Sequence, residues 1–116
     1  MRKLEGEQIL LRIFIGESDK VEGRPLYQAL VEKLRQEQIS GATVLRGILG
    51  YGARSIIHTA NILQLSHDLP VIVEVVDTQE NIERALPHIE SIIGDGLITM
   101  EKVRVLHYGT KDCSGI

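Results

Sequence analysis

The chain has 116 residues, a formal net charge of −3, 43% hydrophobic and 25% charged residues, which fits one folded domain over 1–116 with a single core. A net negative charge excludes generic attraction to nucleic acid or an anionic membrane, so any anion site must be a local cluster of positive charge. The single cysteine, Cys113, cannot close an intrachain disulfide, "MRKLEGEQ" has no apolar stretch behind its basic residues, and the apolar runs are too short for a bilayer; a cytoplasmic protein is expected.

Residues 1–7 are expected to be a flexible terminus. "QILLRIFIG" then alternates, with Ile9, Leu11, Ile13 and Ile15 on one face and Leu10, Arg12 and Phe14 on the other, and reads as a first strand. "ESDKVEG" is a polar loop. "RPLYQALVEKLRQEQI" reads as a helix, with Pro25 in its first turn and Leu26, Leu30 and Leu34 along one stripe. "TVLRGIL" is a second strand, followed by a weakly patterned segment from Gly50 to about Leu69. "LPVIVEVVD" is a β-branched third strand. "DTQENIERALPHIESII" has helical spacing, with Asp77 and Glu80 at capping-box distance and Pro87 inside. "GDG" ends that helix, "LITMEKVRVLHY" is a fourth strand, and 109–116 is a polar, flexible tail.

The order is βαββαβ. Right-handed crossovers put both helices on one side of the sheet. The expected fold is an α+β ferredoxin-like sandwich, with four antiparallel strands in the order 4-1-3-2.

In that arrangement Val71, Val73 and Val75 share the core with the first strand, leaving Ile72, Glu74 and Val76 outside with Leu10, Arg12 and Phe14. Val44, Arg46 and Ile48 of the second strand are assigned to the same outer face. This face is too apolar to be left in water. Glu74 is expected between Arg12 and Arg46, either as a solvated cross-strand ion pair or as a paired charge inside a homo-oligomer closed over the sheet.

"RGILGYGARS" breaks the second strand with Gly47, Gly50 and Gly52. Glycines allow close approach of backbone to a ligand and a positive φ, successive N–H groups can cradle a phosphate, and Arg54 could grip one bidentately. "IIGDG" offers further N–H donors, though after a helix C-terminus, where the dipole opposes an anion. The alternative is that Gly50 and Gly52 only turn the chain and Gly94 and Gly96 only cap a helix.

"GILGYG", the long segment after it, "LPVIVEVVD" and "IIGDGLIT" occur in the order found in PII signal-transduction proteins. "GESDKVEGRPLYQALVEKLR", "GATVLRGILGYG" and "LSHDLPVIVEVVD" resemble more closely an uncharacterised domain family of PII-like small proteins. The resemblance covers roughly Leu11 to Tyr108. It implies a ferredoxin-like homotrimer that binds adenine nucleotide in clefts between subunits. It also implies signalling through the loop after the second strand, to a membrane transporter or channel or to an enzyme.

The "GFG" of PII proteins matches Gly50, Tyr51 and Gly52, and their "IGDG" matches Ile93, Gly94, Asp95 and Gly96. Where they carry a lysine after that glycine this chain has Leu97, and where they carry two arginines after the following strand it reads "LHYGT". The cations that grip a polyphosphate are missing, which favours AMP or a cyclic nucleotide over ATP. The nucleotide site implied is Gly50, Tyr51, Gly52, Arg54, Gly94, Asp95 and Gly96, with Asp95 orienting its loop. The alternatives are a ligand-free adaptor trimer and a small enzyme at the same cleft.

No required cofactor is indicated. His58, His67, His88 and His107 show no i, i+4 pair, so no metal site is expected. Cys113 has no general base near it in sequence, and Ser66, His67 and Asp68 are adjacent rather than convergent; capping or turn formation suits Ser66 and Asp68 better. Three tyrosines, one phenylalanine and no tryptophan are too few for a base-stacking platform, so no nucleic-acid partner is expected. The segment Gly52–Gln64 is expected to be mobile without ligand, or else a short helix through "SIIHTANILQL".

Overall fold

The alternating first segment forms β1 (Gly6–Gly16), and its partners follow as β2 (Lys20–Val21), β3 (Arg24–Pro25), α1 (Leu26–Gln36), β4 (Thr43–Arg46), β5 (Pro70–Asp77), α2 (Gln79–Ile92) and β6 (Leu97–Val105). This is a computed structural model, and it describes residues 4–52 and 68–109. The main sheet is antiparallel in the order β4-β5-β1-β6. That is the order expected from the sequence, counted from the opposite edge, and the fold is the α+β ferredoxin-like sandwich. Among the described residues no helix is long and apolar enough to cross a membrane.

The period-2 and period-3.6 patterns converge on one core. Ile9, Leu11, Ile13 and Ile15 of β1 and Val71, Val73 and Val75 of β5 pack beneath Leu26, Leu30 and Leu34 of α1 and Ile82, Ala85 and Ile89 of α2. At roughly 1.5–3 kcal/mol for each large aliphatic side chain removed from water, these residues supply most of the drive to fold. β1 starts before the alternation does, at Gly6, and Leu4 ahead of it is buried.

Several local expectations are corrected. The loop "ESDKVEG" holds β2 and the turn of the β2–β3 hairpin, and β3 takes Arg24 and Pro25 from the start of the expected helix; the two-residue turn places Glu22 at φ 51° and Gly23 at φ 79°. Two positive φ values match the twist of paired strands, but glutamate rarely takes the first of them. Pro25 is the N-cap of α1 rather than a first-turn residue, because its ψ of 131° is extended. The capping box from Asp77 to Glu80 does not form. Thr78 is the N-cap of α2, its Oγ1 accepting from the Asn81 N–H at 3.1 Å. Asp77 is instead fully buried; its carboxylate accepts from the backbone N–H groups of Ser40 (2.8 Å) and Thr78 (2.7 Å) and from Asn81 Nδ2 (2.9 Å). Ser40 Oγ donates to the Val76 carbonyl at 2.5 Å. These bonds sew the connection after α1 to the β5–α2 junction.

The second strand is shorter than expected and out of phase by one residue. It ends at Arg46, and Thr43 lies opposite Glu74, Val44 opposite Val73, Leu45 opposite Ile72 and Arg46 opposite Val71. Thr43 and Leu45 therefore share the outer face, while Val44 and Arg46 fall on the helix side. A one-residue slip exchanges the faces of a strand. β4 is an edge strand with every residue exposed, so burial leaves no alternation in its sequence to fix the phase.

Nor do the glycines of "GDG" cap α2 in a left-handed conformation. The helix ends at Ile92, with Ile93 at φ −88° and ψ 121°, and positive φ among the described glycines is confined to Gly6 and Gly23. Gly96 is required for space: a Cβ there would lie 2.9 Å from the Phe14 carbonyl oxygen. Gly96→Ala should push β6 off β1 at this end and cost on the order of 1–3 kcal/mol. The check is the urea midpoint, and an unchanged midpoint would contradict the close approach.

Candidate functional site

The antiparallel register gathers both glycine segments at one end of the sheet. Gly16 at the end of β1 lies opposite Pro70 at the start of β5, Leu97 at the start of β6 lies opposite Phe14, and β4 ends beside Val71. The segment Gly47–Gly52 thus leaves from one edge and Gly94–Gly96 arrives at the other. Three strand spacings separate them, roughly 14 Å within one chain.

The glycines at this end do different work. The Gly47 N–H donates to the Pro70 carbonyl at 2.7 Å. A Cβ on Gly47 would lie 2.7 Å from the Pro70 ring, and one on Gly50 2.9 Å from it. Gly47 and Gly50 are therefore fixed by the proline that starts β5, and Gly50 needs no positive φ. Gly52 and Gly94 differ, since a Cβ at either meets nothing within 4 Å. Among the described residues, no packing accounts for their smallness. Tyr51, between Gly50 and Gly52, is 74% exposed. Asp95 follows Gly94 in the bend before β6. Arg54, and the segment after Gly52 expected to be mobile or helical, lie outside the described residues. So do Ser66, His58, His67 and Cys113.

Contacts between segments far apart in sequence hold this end together. Asp68 Oδ1 accepts from the Ser18 N–H at 3.0 Å, and the Glu17 N–H donates to the Leu69 carbonyl at 2.8 Å. Asp19 Oδ2 accepts from the Gly16 N–H at 2.9 Å, and a Cβ on Gly16 would strike the Asp68 carboxylate at 2.7 Å. The turn after β1 is thereby tied to the residues leading into β5. "ESDKVEG" was legible as a polar loop and Asp68 as a capping or turn residue, but not the contact between them.

The outer face of the sheet carries an ion cluster different from the expected one. Arg12 Nε contacts Glu74 Oε2 at 2.8 Å, and Arg12 Nη1 contacts Glu101 Oε1 at 2.7 Å. Arg46 does not join them. It sits on the opposite face and pairs with Glu17, Nη2 to Oε2, at 2.5 Å. The hydrogen bond to Glu74 raises the Arg12 pKa above its usual value; desolvation opposes this and the charges of Glu101 and Glu74 add to it. A raised pKa stabilises the fold below the unfolded value and ceases to do so only as pH climbs through the folded one. Both lie far above neutrality, so the Arg12 guanidinium should contribute no pH dependence across roughly pH 5–9. Around the cluster Leu10, Phe14, Ile72 and Val76 are half-buried, while Leu45 and Leu97 are 44% and 56% exposed.

Two concavities formed by the described residues lie elsewhere. One of about 330 Å³ opens at the far end of the sheet between Leu10, Ser40, Thr43, Glu74, Val76 and Tyr108, and one of about 340 Å³ lies against Glu7 and Lys102–Arg104. Neither adjoins the glycine segments. Among the described residues no three His, Cys, Asp or Glu side chains cluster as a metal set.

Comparison with known proteins places this geometry. The DUF190 family ("Uncharacterized ACR") matches residues 8–105. A UPF0166 protein of Aquifex aeolicus is 43% identical over 98 residues, covering 84% of this chain and 92% of that protein. A UPF0166 protein of Methanocaldococcus jannaschii is 44% identical over 97 residues, covering 83% and 89%. Among solved structures, CPII of Thiomonas intermedia K12, bound to ADP, AMP and acetate, superposes with a TM-score of 0.63 at 13% identity, covering 91% of this chain and 94% of that one. At that identity the likeness is one of fold.

Proposed function

The chain belongs to the DUF190 family, and on that premise we propose that it is a PII-like regulatory protein that binds an adenine nucleotide at clefts between subunits. AMP or a cyclic nucleotide is the favoured ligand, and ligand state passes to a partner through the connection after β4. The observation that carries this reading is the convergence of Gly47–Gly52 and Gly94–Gly96 on one end of the sheet. Gly52 and Gly94 have open space at their Cβ positions, which suits a ligand approaching backbone N–H groups. CPII, of the same fold, is bound to ADP and AMP, and that ligand class is carried over to this chain. The separation of roughly 14 Å between the segments suits a cleft completed by a second subunit. The reading is of a binding site rather than a catalytic one, and no cofactor enters it. The partner is a transporter, a channel or an enzyme, met in the cytoplasm.

The subunits form a homotrimer whose sheets face inward. Support comes from the outer face, where apolar side chains surround charges that already neutralise one another in part, Arg12 between Glu74 and Glu101. Such a cluster can be covered with less loss than an unpaired charge. Light scattering at micromolar concentration should give three times the chain mass. A monomer would remove the trimer. In the covered state Glu74→Ala should lower the melting temperature, and no change would mean that the cluster stays in water.

A ligand-free adaptor trimer is the second reading, favoured by Leu97 in place of a phosphate-binding lysine. The mass of any small molecule released from purified, denatured protein separates the two. An adenine nucleotide is expected; a protein that neither carries one nor takes one up on incubation would leave the adaptor.

A further inference from the structure

We infer that Glu17 and Arg46 together set how much negative charge the glycine-lined end of the sheet accepts, with Glu17 acting as a fixed competitor for the guanidinium that a phosphate would otherwise hold. This rests on the nucleotide reading above and names what selects the ligand at that site.

Arg46 is the last residue of β4 and adjoins Gly47, which packs on Pro70. Its side chain is 62% exposed and meets Glu17 through one nitrogen, Nη2, at 2.5 Å. A guanidinium has five N–H donors, so Arg46 retains donors for a second anion. It is thus a cation at the start of the glycine segment, and Leu97, the first residue of β6, adds none at the other edge.

The backbone that carries Glu17 is held in place. Its own N–H is bonded to the Leu69 carbonyl at 2.8 Å, and the turn it belongs to is held by Asp19 on the Gly16 N–H and by Asp68 on the Ser18 N–H. An anion reaching Arg46 therefore meets a guanidinium already part-neutralised, with the carboxylates of Glu17, Asp19 and Asp68 grouped at the same turn. A single phosphate bears this field at modest cost. Each added phosphate increases the repulsion, because the interaction grows with the product of the charges. The turn after β1 is thus a charge filter that favours nucleotides with few phosphates.

The test is calorimetric titration of AMP and ATP into the full chain, with Glu17→Gln, Arg46→Met and the double variant, at low and at high salt. Glu17→Gln keeps the side-chain shape and removes the charge; unfolding midpoints check that each variant folds. Glu17→Gln should tighten ATP by about tenfold and AMP by clearly less, the difference should shrink at high salt, and Arg46→Met should abolish it in the double variant. Should Arg46→Met alone bind AMP as tightly as the wild type, Arg46 holds no phosphate and the proposal falls. Equal changes for the two nucleotides, or none, overturn the charge filter while leaving nucleotide binding intact. Absence of binding by the wild type and all variants overturns both.

Discussion

Asp77→Ala should cost about 3–5 kcal/mol of unfolding free energy and lower the melting temperature by roughly 10–20 °C. The carboxylate is fully buried and accepts three hydrogen bonds, from the Ser40 and Thr78 N–H groups and Asn81 Nδ2. Removing it leaves those donors without an acceptor in a place water does not reach. It also unfastens the connection before β4 from the start of α2, so the edge strand that leads to the glycine segment should loosen with it. Asp77→Asn should recover only part of the loss, since its NH2 group would face a donor. Thermal unfolding followed by far-UV circular dichroism checks this; a shift under about 3 °C would mean that the network is replaced by water or by local rearrangement.

Arg54→Ala should weaken a phosphate-bearing adenine nucleotide by about ten- to a hundredfold and leave the unfolding midpoint unchanged. A charge-assisted hydrogen bond to phosphate contributes on the order of 1.5–3 kcal/mol, and Leu97 supplies no substitute. Gly52→Val is the companion variant. A Cβ at Gly52 meets none of the described residues within 4 Å, so the fold should tolerate the change. Lost binding in that variant would report the ligand or a second subunit pressing on Gly52. Full-strength AMP binding by both variants would remove these residues from the site.

The fold was legible because its central strands are buried on one face only. The alternation in Ile9–Ile15 and Val71–Val75 and the leucine stripe of α1 each point to the same core, and right-handed crossovers then leave few topologies. Legibility stopped where burial stopped. β4 is exposed throughout, so its phase and the position of Arg46 could not be read from its hydrophobic pattern. Arg46 was expected beside Glu74, and the ion cluster there is completed by Glu101 instead, which is diagonal to Arg12 only because of the β1–β6 register. Asp77 carried the spacing of a helix cap, and Thr78, one residue on, is an equally good cap by type; only burial distinguishes their roles. Gly50 looked like a ligand glycine, yet Pro70, twenty residues later in sequence, gives it a packing reason. The glycines without such a reason, Gly52 and Gly94, are the better candidates for contact with a ligand, and that distinction needed the third dimension.

Calorimetric titration of AMP into the intact, ligand-stripped protein tests the central claim most directly. Saturable binding at one nucleotide per chain is expected, with ATP bound little more tightly than AMP because no lysine follows Gly96. No detectable binding of AMP, ADP, ATP or a cyclic adenine nucleotide at millimolar concentration would contradict a nucleotide-binding regulator.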